Sequence, residues 1–163
     1  MGSMIDFARP DGGSTSGFFA LADSGADRPS VIVIQEWWGL NDQICGVAAR
    51  AGYNALAPDL YKGRVTQEPD EANHMMSGLD FPGATHQDIR GAALHLQGLA
   101  PNGGGKVAVM GFCMGGALTI AAAVHVPEIS VGVCFYGIPP AEFADPAKIT
   151  MPLQCHFANQ DDW

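Results

Sequence analysis

The sequence predicts one α/β domain in which a mostly parallel, doubly wound β-sheet follows an N-terminal hairpin. Three observations support this prediction. Short apolar runs alternate with segments of helical period, turns rich in Pro and Gly separate the two kinds, and 163 residues suffice for one hydrophobic core. Because no internal repeat or low-complexity linker divides the chain, we expect residues 1–163 to form a single domain.

The predicted elements follow the apolar pattern along the chain. Seven apolar runs favour strands, and they comprise residues 5–8, 17–21, 31–34, 55–57, 107–110, 131–136 and 152–157. Segments that favour helices comprise residues 41–50, 69–77, 84–99, the stretch after Cys113 and a short piece at 141–147. The turn at 10–13 closes the hairpin, Asn41 caps the first helix, and the Gly-rich residues 101–105 end the helix at 84–99.

Composition and charge exclude several classes of protein. Eight basic and seventeen acidic residues give a net charge of -9, which disfavours nucleic acid as a partner. The longest apolar run, residues 117–126, has about half of the roughly 20 residues that a membrane helix needs, so we expect no membrane anchor. The start lacks a signal peptide and residues 1–3 resemble a vector remnant, which favours a cytoplasmic protein. Four cysteines without Cys-x-x-Cys spacing predict no disulfide framework, metal site or other cofactor.

The most informative stretch is residues 107–118, which predicts a strand, a sharp turn and a helix with Cys113 at the turn. This pattern is typical of a nucleophile elbow, where Gly111 and Gly115 would prevent clashes with the neighbouring strand and helix. At a helix start, free N–H groups favour a thiolate and leave the Met114 N–H available to an oxyanion. The alternative is that Cys113 is a small buried hydrophobic residue.

Three motifs in matching order and spacing give the chain a family resemblance. They are Gly-Phe-Cys-Met-Gly-Gly at 111–116, Gln-Glu-Trp-Trp-Gly-Leu-Asn at 35–41 and Ala-Pro-Asp-Leu-Tyr at 57–61. From about residue 31 to residue 163, the chain resembles the dienelactone hydrolase family of α/β-hydrolases. The resemblance implies an α/β-hydrolase fold and a cysteine-dependent hydrolase of carboxylic esters or lactones, with Cys113 as the nucleophile.

The resemblance also implies roles for the residues around the nucleophile. The backbone N–H groups of Met114 and Trp37 would form the oxyanion hole, and Asp161 would orient the catalytic histidine. Asp162 is the alternative candidate for the acid that orients the histidine. Glu36 would contact the resting cysteine and move away when substrate binds, the alternative being a solvated loop carboxylate.

Two aromatic residues are candidates for the substrate pocket. Trp38 follows the strand at 31–34, on the loop that we expect to face Cys113, and an apolar acyl or aryl pocket could use it as a wall. Tyr136 ends the strand at 131–136 and would lie at the same rim. The alternative for both residues is packing in the core.

One residue that the resemblance implies, the general base, is missing from the sequence. In this fold the order is nucleophile, acid, histidine, yet no histidine follows Asp161. We therefore expect an incomplete domain that lacks a C-terminal strand and helix, whose histidine lies beyond residue 163. The alternatives are a short form in which an upstream residue such as His74 substitutes, and a catalytically silent fragment.

The sequence thus predicts an ester or lactone hydrolase acting on small molecules, with little or no activity in the 163 residues alone. The unpaired sheet edge would favour a homodimer or a complementing C-terminal segment. A non-catalytic interaction module on the same fold is the alternative from another class.

Overall fold

The computed structural model describes residues 2–22, 28–99 and 105–161, and its seven strands form one sheet. The strands are β1 (Gly2–Ala8), β2 (Ser14–Ala20), β3 (Ser30–Ile34), β4 (Asn54–Pro58), β5 (Val107–Phe112), β6 (Ile129–Phe135) and β7 (Leu153–His156). Their order across the sheet is β1-β2-β4-β3-β5-β6-β7. The β1–β2 and β2–β4 pairs are antiparallel and the remaining four pairs are parallel, which confirms the predicted sheet and edge hairpin.

Helices connect the parallel strands. They are α1 (Asp42–Arg50), α2 (Pro69–Ser77), α3 (Phe81–Gly83), α4 (Arg90–Gly98) and α5 (Met114–His125), with a π-helical segment over Ala84–Ile89. The predicted cap is present, because the Asn41 side chain accepts a hydrogen bond from the backbone N–H of Ile44 at 3.0 Å. No helix in the described ranges is long and apolar enough to cross a membrane.

The core lies on both faces of the sheet, as a doubly wound architecture requires. Every residue of β3 is buried, and its alternate side chains point to opposite faces. One face packs against α4 and α5 through residues such as Leu96 and Leu118, and the other packs against α1 through Ile44 and Ala48. The β3 strand is therefore the centre from which the loop after Ile34 emerges.

Two predicted helices differ from the observed ones. The helix predicted at 84–99 begins earlier, at Phe81, and includes the π-helical segment. The prediction of a helix at 141–147 was wrong. A short turn and a 3₁₀-helix at Pro146–Lys148 occupy this region. Pro146 explains the difference, because it disfavours helical backbone at the preceding residue, and Asp145 is extended.

Two other expectations concern the chain's ends and turns. Gly2 and Ser3, predicted as part of a vector remnant, pair with Ala20 and Phe19 as the first residues of β1. Most of the predicted helix stop at 101–105 lies outside the described residues.

The packing predicts a large difference between two leucines. Leu118 is fully buried in the core, whereas Leu94 on α4 is 42% exposed. Leu118→Ala should lower the free energy of unfolding by about 2–5 kcal/mol because it leaves a cavity. Leu94→Ala should lower it by less than about 1 kcal/mol. Urea unfolding measures both values, and equal losses would contradict the assigned core.

Candidate active site

A sharp turn at Cys113 is the centre of the candidate site. Cys113 follows β5 and directly precedes α5, with φ 57° and ψ -119°, a backbone conformation that side-chain-bearing residues rarely adopt. Its N–H donates to the Phe135 carbonyl at 3.0 Å, and its carbonyl accepts from the Gly116 N–H at 2.8 Å. These bonds hold the strained turn between two strands and a helix, in the geometry of a nucleophile elbow.

The two glycines that flank the turn explain why the chain can pack so closely. A Cβ at Gly111 would lie 2.1 Å from the Gly115 carbonyl oxygen, and a Cβ at Gly115 would lie 2.5 Å from the carbonyl oxygens of Ile34 and Gln35. Such distances are far shorter than van der Waals contact. The glycines therefore let α5 start directly against the end of β3, where the loop with Glu36 and Trp37 begins.

The thiol of Cys113 lies between hydrogen-bond donors and acidic side chains. Burial raises its pKa, and the backbone N–H of Met114 hydrogen-bonds to the thiol and lowers it. Glu36 and Asp161 raise the pKa of the thiol further through their negative charges, and the Trp37 N–H lowers it. The net pKa of Cys113 lies above its ordinary value, so the thiol is mostly protonated near neutral pH.

Glu36 is held by a tyrosine on the opposite loop. The Tyr136 hydroxyl donates a hydrogen bond to Glu36 Oε1 at 2.8 Å. Burial and this carboxylate raise the pKa of Tyr136, so its hydroxyl stays a neutral donor. Tyr136 has φ 38°, and it and Cys113 are two of the three non-glycine residues with positive φ in the described chain. Two of the three strained residues thus line the cavity that contains the thiol.

Sequence reasoning did not identify Tyr61 as a neighbour of the site. Its hydroxyl donates to the sulfur of Met114 at 3.2 Å, and burial followed by the charge of Cys113 raises the pKa of Tyr61 to about 12. The motif at 57–61 contains this tyrosine. Its contact with Met114 joins two segments that are separated by 53 positions.

A cavity of about 760 Å³ opens beside the thiol. This volume lies within the range of small-molecule sites. Four predicted site residues line it: Cys113, Met114, Tyr136 and Asp161. The other lining residues come from α2, the segment after it, α3, α5 and the segments after β6 and β7: Met76, Ser77, Leu79, Phe81, Ala117, Gly137, Ile138, Pro139, Pro140, Phe157, Ala158 and Gln160.

The two tryptophans occupy different positions. The rings of Trp37 and Trp38 contact each other edge to face, with centroids 5.0 Å apart. Trp38 does not line the cavity beside Cys113. It lines a separate cavity of about 290 Å³ with Asn41 and residues 65–67. The role of Trp38 in a substrate pocket therefore stays a prediction that the cavity does not support.

All five histidines are in the described ranges, and none of them lines the cavity. His86 and His125 contact each other with ring centroids 4.9 Å apart, and His95 packs against Phe7 and Phe19. His156 stacks on Phe135, with ring centroids 4.8 Å apart. His74 is exposed on α2.

The cysteines and the acidic residues are the other potential metal ligands. All four cysteines are free, and Cys134 and Cys155 are register partners on β6 and β7. Burial, followed by the proximity of Cys155, raises the pKa of Cys134 to about 12. Within the described ranges, no three His, Cys, Asp or Glu side chains are grouped so that they could hold a metal ion. Asp162, the rival of Asp161, lies outside the described residues.

The negative charge of Glu36 predicts that removing it will change the pH dependence of alkylation at Cys113. Because a nearby anion disfavours the thiolate, Glu36→Gln should lower the pKa of Cys113. The rate of iodoacetamide alkylation at Cys113 should then rise below the pKa of the thiol and change little above it. Peptide mass spectrometry across a pH series measures this shift. The matched control is Glu142→Gln, which removes an exposed carboxylate outside the cavity; an equal shift in both variants would contradict the assignment.

Comparison with known proteins places this geometry in a family. The model of the dienelactone hydrolase family matches residues 16–163. "Protein usf" of Aquifex pyrophilus is 33% identical, and the match covers 100% of this chain and 73% of the relative. The "Putative carboxymethylenebutenolidase" of Aquifex aeolicus is 29% identical, with the same coverage.

Solved structures agree with the fold. A dienelactone hydrolase-like promiscuous phosphotriesterase from metagenomic libraries superimposes with a TM-score of 0.72 at 25% identity, covering 99% of this chain and 70% of the other. An esterase of Pyrococcus furiosus gives a TM-score of 0.53 at 21% identity, with 83% of this chain and 51% of the other covered. Since the family model matches most of the sequence and the elbow lies within the match, the chain belongs to the dienelactone hydrolase family of α/β-hydrolases.

Proposed function

We propose that this chain carries the nucleophile, oxyanion hole and acid of a cysteine-dependent hydrolase of carboxylic esters or lactones. The observation that carries the proposal is the strained turn at Cys113, where two backbone N–H groups approach the thiol at the edge of a large apolar cavity. Relatives named carboxymethylenebutenolidase, and a Bradyrhizobium relative named as a lactonase, support the lactone class.

The proposed reaction starts with the thiolate of Cys113. Its sulfur attacks the carbonyl carbon, and the carbonyl π electrons move to the oxygen, which becomes an oxyanion. The N–H groups of Met114 and Trp37 hydrogen-bond to that oxyanion, because they already lie close to the sulfur that will be bonded to the same carbon. Collapse expels the alkoxide and leaves a thioester, which water then hydrolyses to the acid and the free thiol.

Glu36 is proposed to control the protonation of the thiol. Its charge keeps Cys113 protonated while the cavity is empty, and the hydrogen bond from Tyr136 keeps the carboxylate on this side of the site. When a substrate displaces the carboxylate, the pKa of Cys113 falls and the thiolate forms next to the carbonyl. Glu36 is thus a gate that limits thiolate formation to the occupied site.

The general base is proposed to be a histidine that is not among these 163 residues. The described histidines support this proposal, because each packs elsewhere or is absent from the cavity wall. Asp161 lines the cavity close enough to affect the thiol, where it could orient an incoming imidazole. A complementing C-terminal segment would supply that imidazole.

Chemical rescue tests the proposal directly. The 163-residue chain alone should hydrolyse p-nitrophenyl butyrate slowly because, on this proposal, it lacks the general base. A positioned general base contributes about 10²–10⁴-fold to the rate. Added imidazole can take the thiol proton. It should therefore increase the hydrolysis rate of the native chain about ten times more than it increases the rate of Cys113→Ala. Initial rates of p-nitrophenol release, at several imidazole concentrations, measure this difference.

Two outcomes would contradict the proposal. Equal imidazole-dependent rates for the native chain and Cys113→Ala would show that the thiol is not the nucleophile and would favour a non-catalytic module. Rapid turnover without imidazole that is lost in His74→Ala would instead assign the base to His74.

A further inference from the structure

Two free cysteines lie side by side on neighbouring strands, outside the cavity beside Cys113. Cys134 on β6 and Cys155 on β7 are register partners in a parallel pair, so their side chains point to the same face of the sheet. The next register pair, Phe135 and His156, points to the opposite face, and its rings stack with centroids 4.8 Å apart. Side chains of register partners therefore touch across these two strands.

The spacing of the two strands suits a covalent bond between the two sulfur atoms. Neighbouring strands lie about 4.7–4.9 Å apart, and disulfides join residues whose Cα atoms are about 4.4–6.8 Å apart. The thiols already interact, because burial, then the charge of Cys155 and a hydrogen bond with its side chain, raise the pKa of Cys134 to about 12. The other two cysteines lie elsewhere, Cys45 on α1 and Cys113 at the turn before α5.

The two thiols differ in their access to solvent. Cys155 is exposed, whereas Cys134 is fully buried. A dissolved oxidant therefore meets the sulfur of Cys155 first. An oxidised cysteine that has a second thiol beside it condenses with that thiol to form a disulfide.

We propose that Cys134 and Cys155 form an oxidation site, in which a peroxide converts the two thiols into a disulfide that fastens β7 to β6. Oxidation of this pair does not depend on hydrolysis at Cys113.

The reaction with hydrogen peroxide has two steps. The thiolate of Cys155 attacks one peroxide oxygen, the O–O bond breaks, and hydroxide leaves with the electron pair and takes up the proton that the thiol released. Cys155 is then a neutral sulfenic acid, so the charge that contributes to the raised pKa of Cys134 is gone. The Cys134 sulfur attacks the sulfenic sulfur, the S–O bond breaks, and the departing hydroxide takes the Cys134 proton. Two thiols and one hydrogen peroxide thus give one disulfide and two waters.

The bridge would act on the wall of the cavity beside Cys113. The segments that follow β6 and β7, at residues 136–140 and 157–161, both contribute to that wall. In the reduced chain the Cys134 thiol donates to the Gly137 carbonyl, with sulfur and oxygen 3.5 Å apart. Gly137 packs closely on the turn, because a Cβ there would lie 2.0 Å from the Cys113 carbonyl oxygen. Since a disulfide has no thiol hydrogen, oxidation replaces this hydrogen bond with a covalent link between the strands.

Peroxide treatment followed by peptide mass spectrometry tests the proposal. The chain is treated with hydrogen peroxide, the remaining thiols are blocked with N-ethylmaleimide, and the unreduced chain is cut after Lys, Arg and Glu. These cuts separate the last three cysteines onto peptides 107–128, 129–142 and 149–163. We expect peptides 129–142 and 149–163 to be joined, with a mass about 2 Da below the sum of the two reduced peptides, because two hydrogens are lost. Dithiothreitol should separate them again.

Two cysteine variants form a matched pair for this measurement. Cys155→Ser, at an exposed position, should abolish the joined peptides and leave Cys134 as a free thiol. Cys45→Ser, on α1, should leave the yield of joined peptides unchanged.

Hydrogen exchange measures the fastening of β7. Backbone amides of Leu153–His156 should exchange more slowly in the oxidised chain than in the reduced chain, whereas those of α1 should exchange at the same rate in both. Equal exchange in β7 before and after oxidation would contradict the fastening of this strand.

Several products of peroxide treatment would overturn the oxidation site. They are Cys155 as a sulfinic or sulfonic acid beside a free Cys134 thiol, a bridge that includes Cys113 or Cys45, and a dimer of chains joined through Cys155. Recovery of both thiols unchanged at peroxide concentrations that oxidise Cys45 would overturn it equally.

Discussion

The strained turn at Cys113 is the constraint on which the rest of the site depends. A residue with φ 57° is stable here because its backbone N–H and carbonyl are both hydrogen-bonded and because Gly115 lets α5 start against the carbonyls of Ile34 and Gln35. The same close approach brings the loop after β3 to the thiol. One backbone constraint thus places the Cys113 thiol, the Met114 N–H and the Trp37 N–H within a single site.

The electrostatics of the site keep the Cys113 thiol protonated. Two backbone N–H groups favour the thiolate, whereas burial and the charges of Glu36 and Asp161 oppose it, and the opposition prevails. The hydrogen bond between Tyr136 and Glu36 keeps one of these charges in place. A protonated thiol is a poor nucleophile, so this charge balance disfavours alkylation of Cys113.

Much of the fold could be predicted because local signals agree with tertiary packing. The helix Asp42–Arg50 and the strand–turn–helix at Cys113 follow from apolar period, the Asn41 cap and glycine. The cavity wall could not be predicted, since Ile138 and Phe157 reach it only when β6 and β7 pair side by side. The position of Trp38 could not be predicted either, since sequence order does not show how the loop turns. Gly39, with φ 97°, and the hydrogen bond from the Thr66 N–H to the Trp38 carbonyl set that turn, and Trp38 lines a separate cavity.

The proposed function depends on a covalent bond between Cys113 and the acyl group of a substrate. The most direct measurement is mass spectrometry of the chain after incubation with a stoichiometric amount of p-nitrophenyl acetate. We expect one acetyl group per chain, located on the peptide that contains Cys113 and removed by neutral hydroxylamine, as is usual for a thioester. An acetyl group on any other side chain with Cys113 unmodified, or equal acetylation of the Cys113→Ala variant, would contradict it.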